Sequence, residues 1–509
     1  MSYLLFTLCA SLYLIPFMRI ILAGTDEGTF LTGAARIVHG QVFARDFFEV
    51  MGPGSFYWLA AFFKIFGVTF FASRISLFLT SLGTGVAMYF LTRQICSRYM
   101  VLPCILLAGT YMGVLWPGIS HHVDSNFFAL ASVVCLVLWQ RRRSRSMLIA
   151  AGALVGLTAC ILQPKGLLLY LACLVWLWIL RGRISKFPLQ VSLFTVGFFA
   201  AVLPMLGYLW SKGALGNLIY ANLVWPEQNY GGTNAVVYGF SIVRNYWNPW
   251  VAAFGGGVLS IVITSILIAP LMFVVALPLS LLLVGISYRW KCIAPILLLY
   301  WLCGWALWFS EFHRKDIEHL VFGSPLLILL CIHALTESQR RFANIALQVL
   351  AISAVCLAAF NCCVVISLGA HASDTRVGRV AVTGQAEALK LLDEHLAPGE
   401  EVFVYPYCPA CYFISATVNP TRYSFLQYNY NTTAQFQEVV GVLDRRRVKY
   451  VVWDTTFAAR AAENFPGMQP RKPCDLIVEP YLESRYKVAE EINGIRLMER
   501  KSEPIGSLQ

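Results

Sequence analysis

Two carboxylates, Asp26 and Glu27, stand side by side just where an almost wholly apolar run, residues 3–23, gives out. A carboxylate placed there serves as a general base if it reaches the proton of a hydroxyl. Adjacent carboxylates rarely both face one site, so one acts while the other orients or pairs. Ionisable residues gather again at His121, His122 and Asp124 in "HHVDSN", at Lys165 in "QPKG", and at Glu311, His313, Arg314, Lys315, Asp316, Glu318 and His319 in "EFHRKDIEHL". The stretch after Asp26 adds Arg36, His39, Arg45, Asp46 and Glu49, and Glu227 lies between the later clusters. His121, His122 and Asp124, like His313, Asp316 and His319, are of metal-ligand type. Neither set has a diagnostic spacing, and holding water and substrate hydroxyls is the simpler role. No cofactor and no metal site is assigned; a divalent metal stays open by ligand type alone.

Lys165 is pinched between two apolar runs. A charge at membrane depth costs about 3 kcal/mol on insertion scales. It therefore needs an anion, either a carboxylate such as Asp26 or a phosphate on a substrate, or it snorkels to the interface.

The elements that carry these residues follow from composition. The chain has 509 residues, 58% hydrophobic and only 13% charged, where a soluble domain is nearer a quarter charged. Apolar runs of the roughly 20 residues that cross a bilayer recur through residue 370. The reading is 3–23, a broken stretch 54–92, 100–117, 124–139, 147–163, 166–180, 188–210, 252–287, 292–309, 319–335 and 343–370, about eleven transmembrane helices. Every second loop is basic: Arg93 and Arg98; Arg141, Arg142, Arg143 and Arg145; Arg181, Arg183 and Lys186; Arg289 and Lys291; Arg340 and Arg341. That alternation places the basic loops in the cytoplasm. It accounts for much of the net charge of +12 without nucleic acid. All the clusters above then lie on the external face.

Residues 371–509 read as a separate extracytoplasmic α/β domain after a transmembrane catalytic domain, 1–370. Helical spacing at 386–396, apolar strands at 401–407 and 448–454, and Asn-Gly between two alternating runs at 486–500 support it. Cys408 and Cys411 form Cys-Pro-Ala-Cys; a structural disulfide or two free thiols fits better than a redox motif, because no thioredoxin-like context surrounds it.

The charges cluster at one face, whereas a secondary transporter keeps its site near the midplane. An enzyme acting on a lipid-linked substrate puts acids and bases at the interface. Residues 28–48, apolar and charged at helical spacing, suit a segment lying in that interface. The stretch "DEGTFLTGAARIVHGQVFARDFFEVMGPGSFYWLAAFFKIFG" resembles the first external loop and second span of GT-C membrane glycosyltransferases, in the branch of protein O-mannosyltransferases and lipid A aminoarabinose transferases. Asp26-Glu27, Gly40, Asp46 and "MGPGSFYW" stand where that branch has an acidic "DE", then "G…Y.D…..PP…Y", with "GPG" at 52–54 in place of "PP". "PKG" at 164–166 resembles its short external turn, "HRKDIEHLVFGSPLL" its late loop, and "YPYCPACYFISATVNPTRYSF" its external domain.

The resemblance implies a multi-pass protein of the inner (plasma) membrane with its active site on the extracytoplasmic face. It implies transfer of a hexosyl- or pentosyl-type sugar, with inversion, from a polyprenyl-phosphate donor to a lipid, glycan or protein of the cell envelope. Asp26, with Glu27, is the implied catalytic carboxylate. Lys165 and Arg314 would bind the donor phosphate, and His121, His122, Asp124, Asp46 and His319 the substrate. The rival is a transporter or flippase of lipid-linked saccharides. A reporter fused after residue 370 should be active on the outer side of the membrane; cytoplasmic activity would contradict the whole arrangement.

Overall fold

The computed structural model describes residues 1–22, 26–96, 98–111, 118–287, 294–338, 340–428, 430–465 and 475–502. The ends of the expected spans 3–23 and 100–117, the start of 292–309, and the basic pair Arg289 and Lys291 lie outside the described residues.

Apolar helices dominate up to residue 369. Helices Phe70–Thr92, His121–Arg142, Phe187–Ser211 and Arg341–Gly369, together with Val258–Leu281, are each long and apolar enough to cross a membrane. Ile317–Gly323 and Pro325–Glu337 form a sixth such unit bent by 71°. The bend falls where Pro325 cannot supply the backbone donor that would continue the first helix. Tyr3–Arg19, Leu102–Tyr111, Arg145–Ile161, Gln163–Ile179 and Pro295–Ser310 are shorter apolar helices. The stretch 54–92 resolves into two helices, Pro53–Phe66 and Phe70–Thr92, the second capped by the Thr69 hydroxyl.

Three expectations change. The first apolar run is not helical to its end: its α-helix stops at Leu14, a 3-10 turn containing Pro16 follows, and Ile20–Leu22 is a strand, β1. Residues 28–48 do not form a segment lying free at an interface. Glu27–Val38 is a helix whose residues 27–34 are all buried, because its apolar face is covered by protein. The boundary at residue 371 is not a clean division either. β1 pairs in parallel with β3 (Gly378–Thr383), which β2 (Ser373–Thr375) flanks antiparallel. The second sheet has the order β4-β5-β7-β6, with β4 Val402–Tyr405, β5 Tyr450–Asp454, β6 Tyr486–Ile492 and β7 Ile495–Arg500. β4 and β5 are parallel. β6 and β7 form the expected hairpin, with Asn493 and Gly494 both at positive φ, as a type I′ turn requires.

Helix Arg145–Ile161 and helix Phe187–Ser211 pack backbone to backbone. A Cβ at Gly152 would lie 2.0 Å from the Phe194 carbonyl oxygen, one at Gly156 2.4 Å from that of Phe198, and one at Gly197 2.1 Å from that of Ile149. Such small-xxx-small seams let helices associate where lipid gives no hydrophobic drive. Gly152→Val should cost about 1–3 kcal/mol by forcing the helices apart, read as a lower unfolding temperature in detergent; an unchanged temperature would show that the seam yields freely.

Candidate active site

Asp26, Glu27, His122, Lys165 and Glu311 each sit at a helix end. Asp26 occupies the N-cap of helix Glu27–Val38, its carbonyl accepting the Thr29 N–H at 2.9 Å, where the helix field favours an anion. The Tyr407 hydroxyl donates to Asp26 Oδ1 at 3.3 Å. Glu27, one residue on, is fully enclosed, is ion-paired with Arg74 of helix Phe70–Thr92, and accepts the Ile119 N–H at 3.0 Å. The two adjacent carboxylates therefore have different company.

A second cluster is centred on Glu311, the residue that ends helix Pro295–Ser310. Its carboxylate lies 2.5 Å from Lys165 Nζ and 2.9 Å from His122 Nδ1. Lys165 is in the first turn of helix Gln163–Ile179, and His122 in that of helix His121–Arg142, which the Ser120 hydroxyl caps. Lys165 also donates to Asn126 Oδ1 at 2.8 Å, while Asn126 donates to the Phe322 carbonyl at 2.7 Å. One turn along, Asp316 accepts from Arg314, lies 2.5 Å from His319 Nδ1, and caps the His319 N–H at 3.0 Å. Burial alone would raise the Asp316 carboxyl, but His319 and Arg314 hold it below the usual range. Burial, with His319 beside it, lowers the His313 imidazole to about 4. Arg314 also donates to Asn234 Oδ1 at 2.9 Å and covers the Phe465 ring at 4.9 Å.

Tyrosines join the two clusters. Tyr230 stands 6.0 Å from the His313 ring and 6.2 Å from Tyr430, between ring centroids. Burial pushes its hydroxyl upward, and both Arg314 and Asp26 act on it electrostatically. The Phe30 and His121 rings lie 5.6 Å apart, linking helix Glu27–Val38 to the histidine pair.

The candidates named from sequence thus fall into three groups. His122, Lys165, Arg314 and His319 come together around Glu311 and Asp316. Lys165 meets Glu311, not Asp26. His121 and Asp124 are buried beside them, and His121 Nδ1 and Asp124 Oδ2 have no hydrogen-bond partner among the described residues. Asp46 stays apart: it pairs with Arg45 at 2.8 Å and accepts the Val42 N–H at 2.7 Å, within its own loop. Among the described residues, three metal-ligand atoms come within reach of one another only at Glu394, His395 and Glu490, away from these clusters.

Several residues of the site were not singled out from sequence. Arg74 is hidden in an apolar run, and Glu311 was one of seven ionisable residues in its loop. Glu49 is buried, accepts a hydrogen bond from Ser424, and lines a small cleft with Tyr423, Phe425 and Tyr430. Burial pushes its carboxyl up to about 8, against the Ser424 bond and the Arg36 charge, with Asp26 adding to the rise.

No family model and no curated protein matches the chain. Solved structures do. ArnT from Cupriavidus metallidurans bound to undecaprenyl phosphate superposes with a TM-score of 0.58 at 13% identity, over 97% of this chain and 97% of that one. The same protein in the apo state gives 0.55 at 12%, over 97% and 96%. The archaeal oligosaccharyltransferase AglB from Archaeoglobus fulgidus, in complex with an inhibitory peptide and a dolichol-phosphate, gives 0.52 at 13%, over 92% and 71%. The chain has the fold of these proteins, a polytopic membrane fold with a C-terminal domain. This is the fold the sequence resemblance implied.

Because the folded-state carboxyl of Glu49 titrates above its ordinary 4.5, folding binds its proton more tightly. That contribution is full below about 4.5 and is lost as pH rises to about 8. Wild type should lose thermal stability over this window relative to Glu49→Gln, whose side chain cannot ionise; parallel curves would contradict the assignment.

Proposed function

We propose that this chain is a membrane glycosyltransferase. It moves a hexosyl- or pentosyl-type sugar from a polyprenyl-phosphate donor to an extracytoplasmic acceptor, with inversion. The observation that carries this reading is the placement of the ionisable groups. Glu27, His122, Lys165 and Glu311 all stand at helix ends, at one end of an apolar bundle, beside a C-terminal domain. A transporter or flippase would keep its charges near the middle of its helices. The disulfide between Cys408 and Cys411 supports an oxidising, external side for that domain, in a plasma membrane.

In this reading Asp26 is the base. Among the described residues it has no cation as partner, unlike Glu27. The acceptor oxygen attacks the anomeric carbon on the face opposite the phosphate and gives its proton to Asp26. The carbon–oxygen bond to phosphate breaks, and its electron pair leaves on the polyprenyl phosphate. Glu27, paired with Arg74, holds the start of the helix rather than reacting. Arg314, at 12% side-chain exposure, is the cation a phosphate reaches, while Lys165, at 0%, fixes Glu311 and His122 behind it. A fork-shaped guanidinium suits phosphate.

The test is transfer from a polyprenyl-phosphate sugar in purified membranes, with products read by mass spectrometry. Asp26→Asn keeps size and hydrogen bonding but removes the base. Transfer should fall at least about 10²-fold with the protein still inserted. Undiminished transfer by Asp26→Asn would rule this role out.

A further inference from the structure

The C-terminal domain reaches the proposed base through one short turn. β4 ends at Tyr405, and the chain passes through Pro406 and Tyr407 into helix Pro409–Ile414. Cys408 and Cys411 are joined across the first turn of that helix, with Cα atoms 5.5 Å apart and both side chains buried. The closed turn sits hard against helix Glu27–Val38. A Cβ at Gly28 would lie 2.2 Å from the Ala410 nitrogen, so only glycine admits it. The Thr32 hydroxyl donates to the Pro409 carbonyl at 2.7 Å, and the Phe413 ring stacks on Phe63 at 5.7 Å. Tyr407, immediately before the disulfide, has its ring held between Phe425 at 5.1 Å and Phe457 at 5.8 Å, and its hydroxyl on Asp26.

We infer that Tyr407 is a positioning residue for Asp26, and that the Cys408–Cys411 turn holds it in place, so that the C-terminal domain orients the catalytic carboxylate. The inference rests on the reading of Asp26 as base. Burial, reinforced by the Asp26 charge, keeps the Tyr407 hydroxyl protonated far above its ordinary range, so it is a donor throughout the working pH range. A donor on one carboxylate oxygen fixes the plane of the carboxylate and leaves the other oxygen for the acceptor's proton. The buried disulfide is not placed for exchange with solvent thiols. Its effect is to remove backbone freedom from residues 408–411, next to the tyrosine that must not wander.

The experiment uses the full chain in lipid nanodiscs with a polyprenyl-phosphate sugar as donor. Tyr407→Phe keeps the ring and removes the donor. Its kcat should fall about 10-fold, the low end for a hydrogen bond to a charged group, with donor KM and unfolding temperature unchanged. Cys408→Ala/Cys411→Ala should lower kcat in the same direction and speed hydrogen exchange at the first-turn amides of helix Glu27–Val38. The triple variant should be little worse than Tyr407→Phe alone, because the disulfide acts through the tyrosine. If the cysteine variant does not fold, Tyr407→Phe decides by itself. Wild-type kcat in Tyr407→Phe, in a preparation where Asp26→Asn is inactive, overturns the inference and leaves the base standing. Equal losses of kcat and stability make Tyr407 merely structural, and fully additive losses overturn the link to the disulfide. Full transfer by Asp26→Asn instead overturns the underlying reading.

Discussion

One buried carboxylate organises the charged end of this protein. Glu311 lies between Lys165 and His122 and joins the ends of three helices. None of the three groups is more than slightly exposed. Removing one member of such a set leaves an uncompensated buried charge, typically worth 3–5 kcal/mol. The neighbouring cluster depends on the same geometry. The loop after Glu311 turns back so that Asp316 caps His319 and receives Arg314. The cations therefore stand at one end of the bundle because resident carboxylates hold them there. In the proposed reading a donor phosphate meets Arg314 already oriented, with Asn234 on its other side, so little is lost in ordering it.

The C-terminal domain is part of this construction. β1, the end of the first apolar run, is a strand of the same sheet as β3, more than 350 residues later. The Phe48 N–H donates to the Arg422 carbonyl at 2.8 Å, and Ser424 donates to Glu49. Arg36, in the helix that begins at Glu27, reaches the Thr421 carbonyl at 3.0 Å. These contacts tie the first loop to the C-terminal domain.

Much of this was legible in the sequence, for physical reasons. Apolar length and charge clustering depend on local composition, so a bundle of apolar helices and the ionisable clusters could be read directly, though not the number of helices long enough to span. Asn493-Gly494 marked its hairpin because only such residues take that turn. What depended on distant partners could not be read. An amphipathic helix looks the same whether its apolar face meets lipid or protein, and Glu27–Val38 meets protein. Ile20–Leu22 had no local sign of a strand, since its partner is remote. Arg74 sits in an apolar stretch with no acid nearby in sequence. Lys165 declared its need for an anion, but the choice of Glu311 is a matter of three-dimensional packing. The Cys-Pro-Ala-Cys motif left disulfide and thiols open, and the geometry joined them.

The claim on which the account turns is that the charged end receives a polyprenyl phosphate. Native mass spectrometry of the purified chain, titrated with undecaprenyl phosphate and with undecaprenol, measures this directly. The account predicts that wild type retains the phosphate and not the alcohol, and that Arg314→Met loses this preference while Asp26→Asn keeps it. Equal retention of phosphate and alcohol by wild type, or an undiminished preference in Arg314→Met, would contradict it.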